Sequence, residues 1–162
     1  MWSLPRRRRK TMKAWILGLA VLIAAVTLTS AAVAGPNQSK QQVTITAKGV
    51  DGFTLRPLEP GLLRPDSGTA DWCCYGSRRL VRDGQSVEIN DPLVTLEGKR
   101  GTLVLRSRIE WLDAGNGYSL GTSTWKVVRG TGVYAGISGS GRGAAVTSLP
   151  RVSYRLDGFL RR

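Results

Sequence analysis

From Thr102 to Leu112 apolar and charged side chains alternate with a period of two: Leu103, Leu105, Ile109 and Trp111 fall on one face, Arg106, Arg108 and Glu110 on the other. Successive side chains of an extended chain point to opposite sides, so this pattern calls for a strand buried on one face. Shorter runs repeat it. Val43 to Thr46 alternates and is β-branched, and Phe53 to Leu58, Trp72 to Tyr75, Ser86 to Asn90 and Leu93 to Leu96 are apolar or alternating. Tyr118 to Val128, Ala144 to Thr147 and Val152 to Leu156 follow. Turn residues separate the runs: Pro60, Gly61, Pro65 and Asp66 within a loop from Leu58 to Ser67, then Asp83-Gly84, Asp91-Pro92, Gly98 to Gly101 and Asp113 to Gly117. No segment after residue 35 combines a helical period with caps.

Short strands spaced by about 10 residues in one small chain form a sandwich or a closed barrel. Closure leaves no unpaired edge, and glycine-rich stretches supply the bends that curvature needs. The expected fold is all-β: a single antiparallel β-barrel of about eight strands over residues 43–162, preceded by a signal-peptide helix.

The first 34 residues have the layout of an export signal. Arg6 to Arg9, Lys10 and Lys13 make a basic flank, Ala14 to Ser30 is uncharged and apolar, and Ala32-Val33-Ala34 offers small residues for cleavage before Gly35. Arg8 to Lys13 loosely resembles a twin-arginine signal. An uncleaved membrane anchor is the alternative, since Ala14 to Ala34 is about long enough to span a bilayer. Residues 35–42 are a polar linker. The expected location is secreted or in the cell envelope.

That division changes the meaning of the charge. The whole chain carries a formal +13, but six of its 24 basic residues and none of its 11 acidic ones precede Gly35, leaving +7 for the remainder. The remaining arginines are scattered, with no aromatic-rich strand of the kind that stacks bases, so no nucleic-acid partner is expected. A dispersed basic surface suits anionic lipid or a cell-wall polymer.

The chain has no histidine. A Ser-His-Asp or Cys-His nucleophile cannot be assembled, nor can the His-based catalytic zinc and iron sites, and no metal or cofactor is expected. Gly130 to Ala135 matches the G-x-G-x-x-A dinucleotide fingerprint, but the Gly/Ser-rich stretch from Ile137 to Gly143 cannot supply the phosphate-binding helix that must follow. The glycines there suit a turn at 130–132 and close strand approach from 136 to 143, with Trp125, Val127 and Tyr134 facing inward.

Gly130-Thr131-Gly132-Val133-Tyr134-Ala135-Gly136-Ile137-Ser138-Gly139, preceded by Trp125-Lys126-Val127-Val128, resembles the G-[ST]-G-x-[FY]-x-G-[ILV]-x-G signature of allene oxide cyclase-like barrels, which dirigent proteins share in a related form. Secreted bacterial members of the barrel-like group pair it with the upstream tryptophan. The resemblance implies an eight-stranded antiparallel barrel with an apolar cavity. In the plant enzymes that cavity isomerises an oxidised fatty-acid epoxide, but the polar residues responsible have no counterpart within residues 43–60 here. Fold does not fix function.

The residues expected to line such a cavity are Trp111, Tyr118, Trp125 and Tyr134, with Trp72 beside them and Glu110 as the acid, although the spacing of Glu110 favours an exposed ion-pair row with Arg106 and Arg108. Cys73 and Cys74 form the other distinctive pair. Neighbouring side chains in a strand diverge, so three arrangements stand open: a strained vicinal disulfide, one buried and one exposed thiol, or an intermolecular bridge. The expected function is non-catalytic: an apolar ligand held in the barrel, or an interaction module at the cell surface. The rival is a cofactor-free isomerase or cyclase acting on an oxidised lipid in the cavity.

Overall fold

The structure, a computed structural model, describes residues 40–49, 52–74, 76–148 and 151–162. The expected signal-peptide helix and residues 35–39 of the linker lie outside them. The described residues form ten strands: β1 (Gln41–Lys48), β2 (Gly52–Pro57), β3 (Asp66–Cys73), β4 (Ser77–Arg82), β5 (Gln85–Asn90), β6 (Leu93–Gly98), β7 (Gly101–Gly115), β8 (Tyr118–Gly130), β9 (Ser138–Ser148) and β10 (Arg151–Arg161), with a 3-10 turn at Gly132–Tyr134. Eight of them close a ring in the order β7-β6-β3-β2-β1-β10-β9-β8, and β8 returns to β7. Every pairing is antiparallel. The barrel expected from the alternation is present.

The remaining two strands prolong the barrel wall. β5 and β6 lie along one edge of β7 in a single register, Asn90 opposite Ile109 and Leu93 opposite Arg106. They are one strand interrupted at Asp91-Pro92, because proline has no N–H to offer the ladder; its carbonyl still accepts from Ser107 N at 3.0 Å. β3 and β4 run beside them in the same way, but between Cys73 opposite Leu93 and Ser77 opposite Asn90 the β3–β4 side carries one extra residue. That is a β-bulge. Asp91 N donates to Gly76 O at 3.0 Å across it, and Cys74 takes a φ of 63°. β4 is the edge of the extension.

Several limits differ from expectation. β1 begins at Gln41, two residues before Val43. The Gln41 side chain is buried, and its Nε2 donates to Glu59 O at 2.6 Å while its Oε1 accepts from Leu63 N at 2.6 Å. A polar residue that read as linker thus fastens the 58–65 loop to the first strand. β3 starts at Asp66, within the stretch read as loop, and the strand β4, rich in arginine, was not foreseen.

The inward faces interlock as one apolar cluster that includes Val43, Ile45, Leu55, Leu96, Leu103, Leu105, Leu156 and Leu160 around Trp125. Each fully buried Leu or Ile contributes roughly 1.5–3 kcal/mol. Glycines make the room: a Cβ on Gly141 or Gly158 would run into the Trp125 ring and neighbouring backbone, and one on Gly121 would meet Trp111 at 2.9 Å.

Candidate functional site

The axis of the barrel is occupied by aromatic side chains at three levels. At one end Tyr134, held by the 3-10 turn, is 1% exposed and donates its hydroxyl to Asp66 Oδ2 at 2.8 Å. Asp66, also buried, accepts from Ser67 N at 2.9 Å and Lys99 N at 3.1 Å, so its carboxylate ties the β6–β7 turn to the Gly130–Gly139 segment. Desolvation, then the hydrogen bond to Asp66, pushes the Tyr134 hydroxyl well above the usual tyrosine range. Trp125 fills the middle, its Nε1 donating to Arg142 O at 3.3 Å. At the far end Trp72 stacks on Tyr154 with ring centroids 4.0 Å apart, and Trp111 meets Tyr154 edge-on at 6.2 Å. Trp72 Nε1 and Ser123 Oγ are buried with no hydrogen-bond partner among the described residues.

The residues expected to line a cavity therefore separate, Trp72 being the stacked ring just described. Trp125 and Tyr134 are core, and Trp111 packs against the core from the Trp72 end. Tyr118 is half exposed on the outside of β8. Glu110 also faces outward, and its partners are Arg108 at 3.3 Å and Arg82 at 3.1 Å rather than Arg106. The Arg108 hydrogen bond, and then that of Arg82, hold its carboxyl below the usual value. Sequence spacing could not foresee Arg82, which β4 delivers across β5.

The outer surface carries a pattern no single strand shows. Residues directly opposite one another in antiparallel strands share a face, with Cβ atoms about 4.5–5.5 Å apart. Leu80 faces Val87, Val87 faces Leu112, Leu112 faces Leu120 and Leu120 faces Val146, so one apolar row crosses β4, β5, β7, β8 and β9 on the side opposite Trp111. Leu112, Leu120 and Val146 are 40%, 54% and 41% exposed, whereas Leu80 is half-buried and Val87 buried, so the exposed part of the row lies on β7, β8 and β9. Tyr118 stands beside Leu120 on the same face. Arginines flank the row: Arg82 and Arg151 toward the strand ends, Arg78 and Arg155 on the other side, then Arg108 and Arg142 beyond them. A cleft beside it is lined by Arg82, Asp83, Gln85, Val87, Glu110, Leu112 and Thr122.

Among the described residues no group of three His, Cys, Asp or Glu side chains is placed to hold a metal ion, and no helix is long and apolar enough to cross a membrane. No family model, no curated protein and no solved structure matches this chain.

Proposed function

We propose that this chain is an exported barrel, related to the allene oxide cyclase-like group, that docks on an anionic lipid surface of the cell envelope through its outer wall. The observation that carries the proposal is the exposed row Leu112, Leu120 and Val146 with arginines along both sides. Apolar side chains enter the headgroup boundary while the arginines attract anionic lipid, at up to about 1 kcal/mol each for Arg142 and Arg151 and less for Arg78, Arg82, Arg108 and Arg155, which are paired with Asp91, Glu110 and Asp157. The net +7 beyond Gly35 acts in the same direction at longer range. Export rests on the basic flank, apolar stretch and Ala32-Val33-Ala34 site, and kinship on the Gly130–Gly139 segment with Trp125 upstream.

Two observations favour the wall over the lumen. Trp125, Tyr134 and the leucines around them form the core itself, which leaves a lipid-like ligand to compete with packed side chains. Glu110, the carboxylate that a cyclase would need inside, is engaged outside by two arginines.

The test is co-sedimentation of the chain from Gly35 onward with phosphatidylglycerol and with phosphatidylcholine vesicles. Binding is expected only to the anionic vesicles, falling as salt rises through 0.5 M because screening shortens the reach of the arginines. Leu120→Glu should weaken it at least tenfold with an unchanged circular dichroism spectrum. Equal binding to both vesicles, or to neither, overturns lipid docking. Retention on isolated cell-wall polymer alone would point to that polymer as the partner.

A further inference from the structure

Cys73 and Cys74 sit at the β3–β4 bulge, where the barrel wall passes into its extension. In a regular strand their side chains would point to opposite faces. The positive φ of Cys74, 63°, breaks that alternation and swings its side chain back, so that the two sulfurs approach to 2.6 Å. A non-glycine residue in this region is strained and persists only where the surroundings impose it. Here the imposing features are on both sides. Cys73 is held in register opposite Leu93, and Gly76 is held by Asp91 N immediately after the bulge. Cys74 is exposed and Cys73 half-exposed, so a reagent in solution reaches the pair.

We propose that Cys73 and Cys74 are an oxidisable vicinal dithiol, a modification site that a small disulfide oxidant converts reversibly into an eight-membered ring. Cys74 Sγ, as thiolate, attacks one sulfur of the oxidant; the oxidant's S–S bond breaks and its first thiolate leaves. Cys73 Sγ then loses its proton and attacks Cys74 Sγ, breaking the mixed disulfide and releasing the second thiolate. The pair gives up two electrons and two protons, and the oxidant becomes two thiols. The order of attack follows from the surroundings: the hydrogen bond to Cys74, with some desolvation, holds the Cys73 thiol above its usual value, while Cys74 is the more open sulfur. Closing the ring locks the bulge beside Trp72, whose ring stacks on Tyr154 at the end of the barrel. This site is independent of the lipid-docking surface.

The full chain is equilibrated in an oxidising glutathione buffer, treated with iodoacetamide without reductant, and weighed intact. The expected product is a monomer two hydrogens lighter that takes up no label, and that takes up two labels after reduction. Cys73→Ser should instead retain one glutathione on Cys74, because no second thiol is present to expel it. In the reduced state the wild-type chain should bind one phenylarsine oxide, which bridges paired thiols with loss of water, and Cys73→Ser should bind none. Two labels on the unreduced wild type, two stable glutathione adducts, or a disulfide-linked dimer would each overturn the proposal.

Discussion

Tyr134 and Asp66 show how one hydrogen bond between residues far apart in the chain can seal the end of a barrel. Removing the hydroxyl with Tyr134→Phe leaves a buried carboxylate with only backbone donors, a loss of roughly 1–3 kcal/mol. Urea unfolding at neutral pH should show that loss with an unchanged slope. The same bond sets an alkaline response. Because the folded state holds the Tyr134 hydroxyl above its unfolded value, the stability it contributes is complete below the ordinary tyrosine value of about 10 and falls as pH rises beyond it. Wild type should therefore lose stability above that pH more steeply than Tyr134→Phe, as followed by denaturant midpoints across the alkaline range. Glu110 has the opposite sense. Its carboxyl is held low by Arg108 and Arg82, so that contribution is present above the ordinary carboxylate value and is lost as pH falls through the folded one; being exposed, it also fades with salt. At this scale the sequence was legible where a residue's own strand decides its fate: the alternation placed Trp125 inward, whereas Tyr134, also expected inward, is carried there by the 3-10 turn and not by a strand. It was silent on Asp66, whose partners Lys99 and Tyr134 are brought to it by other strands, and the backbone turn at Cys74 that reunites the two thiols has no signature in the residue types around it.

Among the elements, β9 illustrates how glycine can serve a strand. Gly139, Gly141 and Gly143 alternate on the inner face, and together with Gly158 of β10 they vacate the space into which Trp125 and Leu160 fit. Gly158→Ala should cost about 1–3 kcal/mol through overpacking. Trp125→Leu should cost less in the Gly158→Ala background than in the wild type, and equilibrium unfolding of the single and double variants measures that coupling. The Gly/Ser content that kept the first half of this strand out of a reading by propensity, which found only Ala144 to Thr147, is thus a packing requirement. β4 was hidden for a different reason. Three of its six residues are arginine, as suits an edge that must resist pairing with another chain, and neither apolar content nor alternation marks it. Its existence follows from β5, which needs a neighbour to continue the wall that β3 and β6 begin.

For the whole molecule, strand count and antiparallel closure could be read from spacing and alternation, while the outer row from Leu80 to Val146 could not, because it is written across five strands whose register only the closed barrel sets. That row makes the wall asymmetric, and the asymmetry can be measured. Arg142→Glu with Arg151→Glu should reduce binding to phosphatidylglycerol vesicles by more than tenfold, since each reversal removes about 1 kcal/mol of attraction and adds repulsion. Reversing Arg56 and Arg64, away from the row, should have a much smaller effect. Because charge at a distance acts through the whole field, the contrast between the two pairs separates docking from general attraction.

The barrel closes by pairing its first strand with its last, Gln41 opposite Leu160. The first and last strands of the barrel are therefore neighbours, so the ring of strands has no position that must come first. A permuted chain, with Arg162 joined to Lys40 by a short glycine linker and new ends opened at the exposed Asn116-Gly117 turn, should regain the same near-ultraviolet spectrum. In the natural order the ring cannot be completed until both extremities of the domain are present, so a ribosome-bound chain still lacking β10 has every other strand available and no closed barrel.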